Sequence, residues 1–129
     1  RLEAAVAAGI DPDQVVLDPG LGFAKTAAHN WALLRGLASL EELGQRLLIG
    51  ASRKAFLGAL LTDAEGTPRP VTDREYAGAA LSGWLGARGV WGLRVHDVRA
   101  TRDALAVAAM LAAGPDDEDC ADQRGKAGG

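Results

Sequence analysis

Apolar positions along this chain follow two rhythms. Three runs, Gln14–Leu17, Leu47–Ile49 and Trp91–Val95, are too short for helices, and each ends in a polar or glycine-rich turn. They are predicted as strands buried on both faces. Around them the spacing is helical. The opening RLEAAVAAG is amphipathic, and Thr26 stands as a cap before Trp31, Leu34 and Leu37, with Gly36 as the stop. Ser39 and Glu42 have the spacing of a capping box for one further turn. Thr72 and Glu75 repeat that spacing, opening a helix through Tyr76, Ala80 and Trp84 to about Ala87. A last helix has its apolar face at Leu105, Ala108, Ala109 and Ala112, and Gly114-Pro115 ends it. Trp31, Trp84 and Trp91 read most simply as core.

Helices and strands thus alternate, which predicts an α/β fold of parallel βαβ units with crossover helices covering a sheet. Three parallel strands leave open edges and do not close a barrel, whereas a complete (β/α)₈ TIM barrel takes roughly 250 residues. The expectation is the C-terminal portion of such a barrel, about three βα units and the helix before them, over residues 1–113. The chain starts at Arg1 with an uncapped helix, which predicts a segment cut from something longer. Residues 114–129 are expected to be a disordered acidic tail.

Charge and composition narrow the function classes. Five of the 17 acidic residues lie within 116–122, and residues 1–115 carry twelve acids against twelve bases. No basic stripe points to nucleic acid. No apolar run approaches the 18 or so residues of a membrane span, and the N-terminus does not read as a targeting signal. The single Cys120 lies in the tail, without partners at metal-ligand spacing. A reducing compartment, the cytoplasm, is expected.

The candidate chemistry sits at the three strand exits, where barrels of this kind carry function. The first exit gives Asp18, held extended by Pro19, then Gly20 and Gly22 for a tight turn and Phe23 as an aromatic wall. Gly50 to Lys54 form the second, a small-residue turn bearing Ser52, Arg53 and Lys54. At the third, Arg94 and His96 lie two apart and so point to one side of a strand. Singly, each has a plainer reading: a turn aspartate, a solvated Ser-Arg-Lys loop, a hydrogen-bonded structural histidine. Gly20-Leu21-Gly22 is no dinucleotide fingerprint, because Lys25 stands where the third glycine belongs.

In order, DPGLGFAK at 18–25, GASRKAFLG at 50–58 and RVHDV at 94–98 resemble the motifs of the dihydropteroate synthases near their sixth, seventh and eighth strands. The resemblance covers roughly residues 1–113. It implies a transferase of folate biosynthesis, joining 4-aminobenzoate to 7,8-dihydropterin-6-ylmethyl diphosphate with release of diphosphate and the help of Mg²⁺. By the same resemblance, Asp18, Gly22, Phe23, Lys54 and Arg94 hold the pterin, and Ser52 and Phe23 meet the benzoate. Arg94 and His96 take the diphosphate, and Lys54, Arg94 and His96 form the catalytic set; Arg53 receives no role. The Mg²⁺ ligand is expected outside these residues, so that no metal ligand is assigned here and the 129 residues alone are expected to be inactive. A homodimer through the last helices is implied for the complete protein. Two rivals are a pterin-binding methyltransferase module, which does not need Ser-Arg-Lys and Arg-x-His for a diphosphate, and a non-catalytic truncated paralogue.

Overall fold

The structure is a computed structural model and describes residues 1–113; the expected acidic tail lies outside the described residues. Three short strands, β1 (Val16–Leu17), β2 (Arg46–Ile49) and β3 (Gly92–Leu93), form one parallel sheet in the order β1-β2-β3. Val16 pairs with Arg46 and Leu17 with Leu47, while Leu48 pairs with Gly92 and Ile49 with Leu93. All three strands therefore end at one edge of the sheet, and the turns that follow them are brought together there.

Among the described residues, six α-helices surround the strands: α1 (Leu2–Ala7), α2 (Ala27–Arg35), α3 (Leu37–Glu41), α4 (Ala55–Leu60), α5 (Glu75–Ala87) and α6 (Val98–Ala112). The core lies between sheet and helices and is made by Leu21, Leu34, Leu37, Leu47, Ile49, Phe56, Leu57 and Leu85, all at most 4% exposed. Trp31 packs edge-on against Phe56, with ring centroids 5.0 Å apart and an 85° interplanar angle.

The parallel α/β reading holds, with local corrections that have physical causes. Strand β1 starts at Val16 because Pro12–Gln14 form a single 3₁₀ turn, opened by the Asp11 side chain accepting the Asp13 N–H at 2.9 Å. Strand β3 is cut to Gly92–Leu93, although Arg94 still donates its N–H to the Ile49 carbonyl at 3.0 Å. Helix α4 has no counterpart in the periodicity reading: FLGALL carries no polar face, and Phe56, Leu57 and Gly58 are buried.

Thr26 caps α2 as its position predicts, accepting the His29 N–H at 3.2 Å. Neither capping box forms. Burial of Leu37 starts α3 directly after Gly36, which places Ser39 inside the helix. Thr72 lies in a 3₁₀ turn, and α5 starts at Glu75, whose carboxylate pairs with Arg53. The buried side of α5 is Gly78, Ser82 and Leu85, so Tyr76 and Trp84 point outward. Trp84 and Trp91 are 43% and 55% exposed and are not core. Arg88 lies over the Trp84 ring and Arg46 over the Trp91 ring, so both indoles are half-covered by cations at the surface.

Helix α6 lies close along α5 because Gly83 offers no side chain: a Cβ there would sit 3.2 Å from the Ala104 carbonyl oxygen. Leu105 and Ala108 are half-buried on that side, whereas Ala109 and Ala112 are exposed.

Candidate active site

The first turn is built by hydrogen bonds from residues the motif reading does not single out. The Asp18 carboxylate accepts the Gly20 N–H at 2.7 Å, making a tight turn at the end of β1. Asn30, only 2% exposed, accepts the Gly22 N–H at 2.8 Å and donates to the Thr26 carbonyl at 2.8 Å. The Lys25 ammonium donates to the carbonyls of Gly20 (2.9 Å) and Phe23 (3.2 Å). Lys25, which excluded a dinucleotide loop, thus braces the turn from inside. Ala24 takes the left-handed conformation at φ 47°, a strained state for a residue with a side chain.

The second turn carries the same kind of strain, at Arg53 with φ 61°. Arg74 holds it there: its guanidinium donates to the Arg53 carbonyl at 2.9 Å and to the Arg69 carbonyl at 2.8 Å. The Arg53 side chain turns away from the sheet edge to pair with Glu75. Arg53 and Arg74 are therefore framework, and they aim Ser52 and Lys54 toward the other two turns.

Across the turns, the candidate residues do meet. Lys54 crosses to the first turn, its ammonium 4.1 Å from the centroid of the Phe23 ring. Its stem fills the space over Gly22, where φ is 76° and a Cβ would stand 2.8 Å from Lys54 Cδ. Only glycine satisfies both conditions. Arg94 reaches from β3 across Gly50 and pairs with the Asp18 carboxylate. That pair is open to water, with side chains 55% and 30% exposed, so it holds little energy by itself and is free to exchange for a ligand.

His96, unlike Arg94, does not face Asp18. Its Nδ1 lies 3.0 Å from the Ser52 hydroxyl, which also accepts the His96 backbone N–H at 3.3 Å. Ser52 is buried at 9% exposure, while His96 is exposed. The edge thus presents one carboxylate, two cations, an imidazole and an aromatic face to the same side of the sheet. Such a set suits a flat ligand with donor and acceptor edges and an attached anion.

Residues 1–96 match the family model described as pterin binding enzyme. The chain belongs to this pterin-binding enzyme family. Among known relatives, it is 56% identical over 115 residues to the dihydropteroate synthase of Mycobacterium leprae, an alignment covering 88% of this chain and 40% of that protein. Against the dihydropteroate synthase of Neisseria meningitidis it is 44% identical, over 81% of this chain and 36% of the relative. Among solved structures, the Xanthomonas albilineans dihydropteroate synthase in complex with 7,8-dihydropteroate matches at TM-score 0.80 and 40% identity, over 88% of this chain and 42% of that one. The Yersinia pestis enzyme with a pterine-sulfa conjugate matches at TM-score 0.77 and 37% identity, over 87% of this chain and 42% of the other. The chain therefore spans about two fifths of the length of the relatives it matches.

The residues missed by motif reading are the ones that hold the first two turns in place. Asn30 lies within α2 and Arg74 directly before α5, both outside the three motifs. The one sequence signal for Asn30 is a poor helix former placed mid-helix, four residues after a threonine cap.

Proposed function

We propose that this chain is the pterin- and diphosphate-handling part of a dihydropteroate synthase of folate biosynthesis, and that its three strands are strands six to eight of a (β/α)₈ barrel. The convergence of Asp18, Lys54, Arg94 and His96 from three consecutive strand exits is the observation that carries this reading. Parallel strands with exits at one edge are how barrels of this class assemble their sites.

In the proposed reaction, the amine of 4-aminobenzoate attacks the methylene carbon of the pterin diphosphate. The carbon–oxygen bond breaks, diphosphate departs and the amine loses a proton. Asp18 accepts hydrogen bonds from the amino group and ring N–H of the pterin edge once Arg94 releases it. Lys54 donates to the ring carbonyl and nitrogen, and its stem and Phe23 close the pocket beside Gly22. Arg94 lies flat on the ring with its edge toward the diphosphate, and His96 donates to that leaving group. Phe23 also borders the benzoate. The motif implies Ser52 at the benzoate carboxylate, a contact that would require its hydroxyl to leave His96.

Mg²⁺ is the metal implied for this reaction, where it would neutralise diphosphate charge. Among the described residues no three histidine, cysteine, aspartate or glutamate side chains gather to hold an ion. The proposed setting is the cytoplasm. Among the described residues no helix is long and apolar enough to cross a membrane. A chain spanning two fifths of its relatives is proposed to need the remainder of the barrel for turnover.

Calorimetric titration of a full-length form carrying these residues, with pterin diphosphate and Mg²⁺ and then 4-aminobenzoate, tests the proposal. Binding followed by condensation is expected, with turnover falling at least about a hundredfold in Lys54→Ala and in Arg94→Ala, the scale of losing a charged transition-state contact. Near-normal kinetics in either variant would remove that residue from the catalytic set. Pterin binding without condensation would overturn the synthase reading.

A further inference from the structure

Between the second and third turns, the buried Ser52 hydroxyl meets the exposed His96 ring. A serine hydroxyl has one proton and two lone pairs, and a neutral imidazole has one donor and one acceptor nitrogen. The Ser52 oxygen already accepts the His96 backbone N–H at 3.3 Å, and Nδ1 of the same residue lies 3.0 Å from it. Were Nδ1 to carry the ring proton, it would donate to that oxygen as well. The Ser52 proton would then need an acceptor elsewhere, and none of the described side-chain hydrogen bonds supplies one. A buried hydroxyl left without an acceptor is costly. With the hydroxyl donating to Nδ1, the amide, the hydroxyl and Nδ1 are all paired.

We infer that Ser52 is a positioning residue that holds the neutral imidazole of His96 in the tautomer with its proton on Nε2. The exposed edge of the ring then presents a donor, which is what an anion needs. The inference rests on the proposed role of His96 toward the diphosphate and deepens it, and it sets aside the benzoate contact of Ser52, whose single proton it assigns to His96 Nδ1. Ser52 acts through His96, tying the exit of β2 to that of β3 across 44 residues of sequence.

Nitrogen-15 NMR of the 129-residue chain, labelled at histidine, reads the tautomer directly. Only two histidines are present, His29 and His96, so His29→Gln assigns the spectrum. At about pH 8.5, where an unperturbed imidazole is neutral, His96 is expected to show a protonated Nε2 and an accepting Nδ1. Ser52→Ala should mix the tautomers, and Ser52→Thr, which keeps the hydroxyl, should restore the single form. Inorganic pyrophosphate should shift the Nε2 signal and bind roughly fivefold more weakly to Ser52→Ala, the scale of one hydrogen bond lost.

A wild-type His96 protonated on Nδ1 would overturn the inference without recourse to any variant, so failure of Ser52→Ala to fold leaves it open to disproof. An unchanged tautomer in Ser52→Ala would overturn it too. A tautomer that depends on Ser52 in a chain whose His96 ignores pyrophosphate would uphold the positioning role and overturn the diphosphate reading instead.

Discussion

Asn30 shows how much of this site rests on residues that never meet the substrate in the proposed reaction. Its amide is almost fully buried, with the oxygen on the Gly22 N–H and the nitrogen on the Thr26 carbonyl. Removing it orphans the Gly22 N–H, while the Thr26 carbonyl keeps the backbone N–H of residue 30 at 3.1 Å. Asn30→Ala is expected to cost about 1–3 kcal/mol of stability, seen as a lower urea midpoint. Because Gly22 sits under Lys54, the same variant should also weaken pterin binding by the full-length form. A wild-type midpoint would show that the turn holds itself. The motif residues themselves were legible in the sequence because their types are unusual together: a carboxylate before Pro-Gly, a Ser-Arg-Lys triplet, Arg and His two apart. Asn30 and Arg74 were not legible, since a lone polar residue reveals which turn it braces only once that turn is in place.

At the scale of elements, helix ends decide where the third turn points. Asp97, directly after His96, caps α6 by accepting the Ala100 N–H at 2.9 Å, while its carbonyl accepts the Thr101 hydroxyl at 2.8 Å. Asp97→Ala should destabilise the fold by about 1 kcal/mol, and Asp97→Asn, which keeps an accepting oxygen, by less. Paired urea denaturation of the two variants checks this, and equal losses would mean that the cap is not the source. Caps were the least legible elements. Thr26 caps as read, but both Ser/Thr–Glu spacings fail, because Leu37 burial and the Arg53–Glu75 pair determine where α3 and α5 begin. A capping box is a local preference worth little against the burial of a leucine.

At the scale of the whole molecule, the outer side of the α5–α6 pair is an apolar face left open among the described residues. Trp84, Val107 and Leu111 lie there beside Ala80, Ala87 and Ala108, with Val107 61% and Leu111 82% exposed. The proposed homodimer would cover this face. Sedimentation of the full-length form at micromolar concentration should give a dimer, and Leu111→Asp should shift it to monomer by placing a charge in the interface. A monomeric wild type would sink the proposal.

The sequence by itself determined the alternation of strands and helices (α4 apart), the parallel sheet and the three motif-bearing exits, because those follow from local periodicity and from which residue types tolerate turns. Tertiary structure alone decided which partner each side chain takes. Arg94 and His96 share a strand spacing yet part company, one to Asp18 and the other to Ser52. Two tryptophans that read as core stand at the surface, Trp84 off the buried face of α5 and Trp91 directly before β3. The physical reason is common to all these cases. Periodicity reports a residue's own preference, whereas partners dozens of residues away become neighbours only when the sheet brings its strand ends together.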